Sequence, residues 1–444
     1  MAPPSGRKRE PLRTLATVSN LFDRTTHRGK AQLSLLMNFA ARAPSVIGIL
    51  FFVPLVYREL GDADYGRLMA AISLGGLSSV LLGGGYYLGR RRVGEAMTDN
   101  RHDAEAEAFL TLMRASWLAA MIGMVAAVAY ALGQSWSAVF IVVAVLQICA
   151  GLIGALDEVR TAYNELYFTA TLRAVLQTLA YVIGLSVAWV ARSPMLAALV
   201  MIGPSIAASL FSTGHLLLRR PYLLKGTGLS AWRALREALP IGLIDGLVML
   251  AVNLSVVVVQ EALPAQSSAW YATIVRITIL LLTLAMLCAL PLTSYFRGIW
   301  NQRPAAMRSR ISFYWMALSF GFGVGTTLAL WLANIVYLGI IMGIDAPFPS
   351  LETFAIYAGL GAVGAFKFYT AFGYIIMDTR SLNISFGLVL LASFLAALLG
   401  QLAYGTAAAV QWCALVFALG TSLAIINLYR NDQGIRESAW QERS

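Results

Sequence analysis

The chain has 444 residues, 59% of them hydrophobic and only 12% charged, with a mean hydropathy of +0.70. Soluble domains carry about 25% charged residues, so an ordinary globular protein is excluded. The net charge of +11 does not point to nucleic acid. Most Lys and Arg lie in short segments between apolar runs, where they orient a chain in a membrane.

Those apolar runs reach the length of about 20 residues that a membrane-spanning helix needs. They are continuous, whereas a β-barrel strand alternates over about 10 residues. The expected fold class is therefore all-α, a polytopic membrane protein. Residues 1–33 form a basic tail with seven Lys/Arg among the first 30. Leu12, Leu15, Val18, Leu21 and Phe22 recur there at near-helical spacing, which suits an amphipathic helix on the inner leaflet; a disordered tail fits equally. No signal-peptide pattern precedes the first apolar run.

Twelve spans follow, at 34–57, 68–89, 108–132, 136–156, 171–191, 194–217, 240–260, 269–295, 312–333, 352–377, 382–403 and 406–428. With the N-terminus inside, the inner segments hold 25 Lys/Arg and the outer loops 3. That asymmetry predicts cytoplasmic termini on both sides of the chain. The basic connection at 218–239 divides the spans into bundles of six, 34–217 and 240–428, and residues 429–444 form a C-terminal tail. Two bundles about a midplane site are a common transporter plan.

Sites for bond-making chemistry are not evident. There is no Gly-rich loop ending in Gly-Lys-Ser/Thr and no His-Glu-x-x-His, and His27, His102 and His215 are scattered, so neither a nucleotide motif nor a zinc site is expected. Cys149, Cys288 and Cys413 fall inside apolar runs and read as free thiols. No metal or other cofactor is expected. Asp157-Glu158 reads as a solvated helix end.

The chemistry lies in the charges within the spans. Arg42 sits about 12 Å into a core of about 30 Å. Lys367 falls near the centre of span ten, Arg276 in the outer half of span eight and Arg114 in the inner half of span three. Intramembrane charge normally faces a bundle interior or a wet cavity and marks a substrate path. Four cations meet one clearly intramembrane carboxylate, Asp245, so an anionic ligand would supply the missing charge. Arg suits phosphate through bidentate hydrogen bonds. Snorkelling of Arg114 and Arg276 and structural pairing of Arg42 and Lys367 are the competing readings. Asp245 either pairs with a cation or titrates as a proton or sodium site. Pro44, two residues after Arg42, breaks backbone hydrogen bonding and is a hinge candidate. Arg173, at the start of span five, reads as an interfacial anchor.

The stretch Leu60-Gly61-Asp62-Ala63-Asp64-Tyr65-Gly66, followed by a Gly-rich span and Arg90-Arg91-Arg92, resembles the start of bacterial polysaccharide flippases. These are the Wzx-type exporters of the MATE-like superfamily. Trp270-Tyr271-Ala272, Arg276 and Ala289-Leu290-Pro291 are similar to the family's stretch in span eight. The resemblance implies two six-helix bundles and movement of a polyprenyl-diphosphate-linked oligosaccharide from the inner to the outer leaflet of a bacterial inner membrane. It implies a cationic central cavity for the diphosphate, and as partners the glycan lipid, membrane lipids and a polysaccharide polymerase complex. A multidrug exporter of the same fold and a membrane-embedded glycan polymerase or ligase are the alternatives. Short outer loops count against an enzyme.

Overall fold

The computed structural model describes residues 36–37, 39–40, 42–98, 101–157, 159–163, 165–300 and 305–376. The tails and the spans expected at 382–403 and 406–428 lie outside the described residues. Every regular element among the described residues is helical. The order is α1 (Ala43–Ile47), a π-helical segment (Gly48–Phe52), α2 (Val53–Gly76), α3 (Ser79–Thr98), α4 (His102–Gly133), α5 (Ala138–Asp157) and α6 (Val159–Ala162). There follow α7 (Leu166–Ser186), a 3-10 turn (Ala188–Arg192), α8 (Pro194–Arg219), a second 3-10 turn (Pro221–Leu224), α9 (Ala231–Ala262) and α10 (Ala265–Trp300). The last are α11 (Ala305–Ala333), a second π-helical segment (Asn334–Met342) and α12 (Ser350–Ile376).

Local chemistry sets the breaks. Proline opens α1 and α8, at positions where its missing N–H costs no hydrogen bond. Pro44 thus begins a helix, and the irregular backbone beside it is the π segment that starts at Gly48. The apolar run Ala43–Gly83 is 41 residues long, about twice what a bilayer core needs. It is broken at Gly61 (φ 74°, ψ 174°), a conformation essentially confined to glycine. Residues eight apart on a straight helix lie about 12 Å apart along the axis. Tyr57 and Tyr65 instead meet edge to face at 5.4 Å, and the Tyr57 hydroxyl donates to Asp62 at 2.6 Å. The chain therefore turns sharply at Gly61, between the first two expected spans.

Where it is described, each of the first ten expected spans is essentially helical, and seven helical runs among the described residues are long and apolar enough to cross a membrane. The helices outrun the apolar segments: α4 begins at His102, α9 at Ala231 and α11 at Ala305. Helical hydrogen bonding continues into the polar interface, where hydropathy no longer reports it. Inside the apolar zone of α10, threonine hydroxyls are satisfied by their own helix. Thr273, Thr278 and Thr283 donate to carbonyls one turn back at 2.7–2.9 Å, as burial away from water requires.

The two halves of the chain pack together along α9, which lies against α3, α2 and α4, while α10 packs on α2. Small residues allow this approach: Gly76 faces Asn253 across the α2–α9 contact. Within the second half, α11 and α12 meet where Gly323 faces Ala365 and Gly361. The connection between halves is not a loose tether. Gly226 and Gly228 lie directly on α4, where a Cβ at Gly228 would come within 2.8 Å of the Thr111 amide nitrogen. The Leu229 N–H donates to Thr111 Oγ1 at 3.1 Å.

Candidate functional site

The site lies where α2 and α10 pack together, around Arg276. Eleven residues into α10, its depth is about 16 Å from that helix's start. Its Nη2 is enclosed and has no hydrogen-bond partner among the described residues. The titratable groups that act on the guanidinium are the hydroxyls of Tyr65 and Tyr181. Tyr65 is fully buried on α2, and its hydroxyl shares a 2.9 Å hydrogen bond with Thr273, one turn from Arg276. Tyr181 is buried on α7, packed under Gly48 and tilted against Phe52 at 5.6 Å. A side chain at Gly48 would displace the Tyr181 ring, so the π segment and the tyrosine fit as a pair.

Tyr181 heads a polar face on α7. Gln177 and Arg173 precede it at intervals of four, which places all three on one side of the helix. Gln177 is buried. Arg173 reaches toward Ser209 at 3.4 Å, and its Nε is enclosed without a partner. Arg173 therefore points between helices rather than out to an interface. The spacing of four, Arg173-Gln177-Tyr181, was the signal in the sequence that could have found this face. An enclosed guanidinium with a free N–H donor, flanked by tyrosine hydroxyls, is chemically an anion receptor.

The other expected site residues fall on separate elements. Arg42 is half-buried and partnered just before α1, and Lys367 is buried and partnered on α12. Arg114 is exposed on α4 and donates to the carbonyls of Gly228 and, at 3.1 Å, Leu229, so it holds the connection between the halves. Asp245 lies on α9, and its side chain is outside the described residues.

A second polar cluster, which the sequence did not reveal, ties α4 to α8 together at the end of the bundle where the connection lies. Asp157 is 4% exposed and accepts from Thr169 at 2.9 Å and from Ser212. Arg160 is 1% exposed, 3.9 Å from Asp157 and 3.1 Å from Glu165, and donates to the Ser212 carbonyl and to His215. That bond makes His215 Nδ1 the acceptor. Burial lowers the Arg160 pKa, opposed by Glu165 and Asp157. Arg220 pairs with Glu165 at 3.1 Å and lies over the Tyr163 ring at 3.8 Å. Tyr163 and Tyr222 both donate to Glu105, at 2.8 and 2.7 Å. Burial, then Glu105, pushes the Tyr163 hydroxyl up, so it remains a donor. Asp157 is thus a buried, compensated carboxylate, and the expected solvated helix end is corrected.

Helices long and apolar enough to cross a membrane thus pack as two halves about an enclosed polar site. No family model and no curated protein matches the sequence. Among solved structures, an inward-facing multidrug resistance MATE family transporter of the MOP superfamily aligns with a TM-score of 0.61. The identity is 14% over 89% of this chain and 99% of that one. An outward-facing multidrug resistance MATE family transporter gives 0.59 at 13% identity, over 92% of this chain and 96% of its own. A MOP superfamily transporter from Pyrococcus furiosus gives 0.60 at 14% identity over 92% and 96%; its binding pocket is described as of reverse polarity, suggesting a different function. The chain has the MATE-type fold of these transporters, seen in both inward- and outward-facing states.

Proposed function

We propose that the protein is a flippase that carries a polyprenyl-diphosphate-linked oligosaccharide from the inner to the outer leaflet by alternating access. The observation that supports this reading above all is the enclosed Nη2 of Arg276, without a partner among the described residues, between helices of the two halves. A guanidinium donor left unpaired away from water is costly, and a diphosphate passing between the halves would satisfy it. Arg42, Arg114 and Lys367 extend the path for the anion, with Asp245 as the site for ion coupling and Pro44 as a hinge. The N- and C-termini would be cytoplasmic and the membrane a bacterial inner membrane. A polysaccharide polymerase complex would receive the product. On this orientation the Gly61 end of the bundle faces outward and the connection between halves faces the cytoplasm.

The multidrug description of two structural neighbours favours a second reading, export of small molecules. Cationic drugs would be repelled by Arg276 and Arg173, which supports the anionic cargo instead. Deleting the gene and analysing extracted lipids by mass spectrometry separates the two. A complete lipid-linked repeat unit trapped on the cytoplasmic side is the expected result. A normal lipid pool with lost drug resistance would replace the flippase by the drug exporter.

A further inference from the structure

A cavity of about 300 Å³ lies on the far side of α2 from Arg276. Its walls come from the break between α2 and α3 (Leu77, Ser78), from Leu81, from Ile122 and Ala126 on α4, and from Leu254 on α9. The lining is mostly apolar, with Tyr130 and Ser78 as its hydroxyl-bearing members. The Ser78 hydroxyl is turned away, donating to the Gly75 carbonyl at 2.7 Å. Gly123 keeps the floor low, since a Cβ there would come within 3.0 Å of the Ser78 Cβ. Ile122 and Leu254 are 40% and 39% exposed, so the cavity opens sideways out of the bundle. Ile122 and Leu254 stand about 12–16 Å from the Gly61-end termini of α4 and α9, which places the opening within the hydrocarbon of that leaflet.

At that depth the surrounding medium is hydrocarbon, and an empty lipid-facing groove would forfeit dispersion contacts on every wall. Its volume is about twice that of an apolar cavity of ~150 Å³ that takes a benzene ring, which gives room for on the order of a dozen carbons. We infer that this groove is a binding site for one acyl chain of a membrane phospholipid, separate from the transported lipid. Helix geometry selects that source. Tyr65, beside Arg276, and Leu74, in the cavity wall, are nine residues apart on α2, and at about 100° per residue they look to opposite sides. A lipid whose head engages Arg276 would have to pass its tail through the packed contact between α2 and α9. Because the walls belong to both halves, a bound chain would brace their contact.

The test uses the full-length protein in liposomes of phosphatidylethanolamine and phosphatidylglycerol, doped with a phospholipid bearing a diazirine midway along one acyl chain. After photolysis, adducts are mapped by peptide mass spectrometry. Val125, on α4 at the same depth and 70% exposed, reports bulk lipid. Labelling of Ile122 and Ala126 should exceed that of Val125 several-fold, and Ala126→Phe should remove the excess. Equal labelling at the three positions would overturn the site. Displacement of the phospholipid label by a polyprenyl phosphate would overturn the choice of occupant and assign the groove to the cargo's tail. Neither readout needs transport, so the outcome is independent of the proposed cargo.

Discussion

The Tyr337 hydroxyl donates to the Ile49 carbonyl, and both residues lie in π-helical segments. A π turn leaves carbonyls without their usual partner one turn on, and here the partner comes from the other half of the chain. Nearby, Arg58 donates to the Ile341 carbonyl at 3.1 Å, so the first span and the end of span nine are joined twice. Any opening at the Gly61 end must break these bonds. Tyr337→Phe removes one hydrogen bond worth about 0.5–1.5 kcal/mol, a shift of roughly two- to twelve-fold toward the open state. Spin labels at Leu132 and Leu351, both exposed and on opposite halves, would report it as a larger long-distance population. An unchanged distance distribution would remove Tyr337 from the gate.

Arg276 and Arg160 make opposite predictions about stability. Among the described residues nothing pairs with Arg276 Nη2, so Arg276→Met should leave thermal unfolding unchanged or raise its midpoint while abolishing the proposed lipid translocation. A drop in stability would mean that the arginine is a structural cation. Retained translocation would sink its role in the anion path.

Arg160 is the reverse case. Removing it strands Asp157 and Glu165 beside each other with one cation fewer. Breaking a buried pair from one side costs about 3–5 kcal/mol. Arg160→Met should therefore lower the unfolding midpoint strongly. A variant as stable as the parent would show that Asp157 is held by Thr169 and Ser212 alone.

The spans were legible because continuous apolarity and basic loops report on the membrane directly, as the helices α1 to α12 show. Helix ends were not, since His102 and Ala231 lie in polar sequence that keeps its backbone bonds in water. The π segments were invisible for a different reason: side-chain pattern does not encode which carbonyl an amide selects. Arg276 could be picked out as a deep charge, but its tyrosine partners could not, because Tyr65 and Tyr181 come from α2 and α7. Nor could Asp157 be recognised as buried, since Thr169 and Ser212 close over it from α7 and α8. Arg114 was visible as an intramembrane cation; that the connection folds back over it was not.

Gly61 provides a test of the sharp turn between the first two spans. Its φ of 74° and ψ of 174° belong to a region that costs a residue with a Cβ about 1–3 kcal/mol. There is open space around it, so the penalty of Gly61→Ala is purely conformational. Gly321, mid-helix in α11 with equally open surroundings, is the control, because Ala there should gain about 0.5–1 kcal/mol. Thermal unfolding should move in opposite directions for the two. A neutral Gly61→Ala would show that the turn is made elsewhere.

The connection between the halves makes the last prediction. Lys225 is exposed, yet the chain on its C-terminal side is held on α4 by Gly226, Gly228, the Leu229 amide and Arg114. Proteolysis of such a segment requires local opening, and its rate follows the population of the open form. A side chain at Gly228 would meet Leu110 Cβ at 2.7 Å and the Thr111 nitrogen at 2.8 Å, so Gly228→Val must lift the strap and pull its carbonyl from Arg114. Trypsin should then cut after Lys225 faster in Gly228→Val, and also in Arg114→Gln. Cleavage at the parental rate in both variants would mean that the strap is held from the Tyr222 side, through Glu105, and not by Arg114.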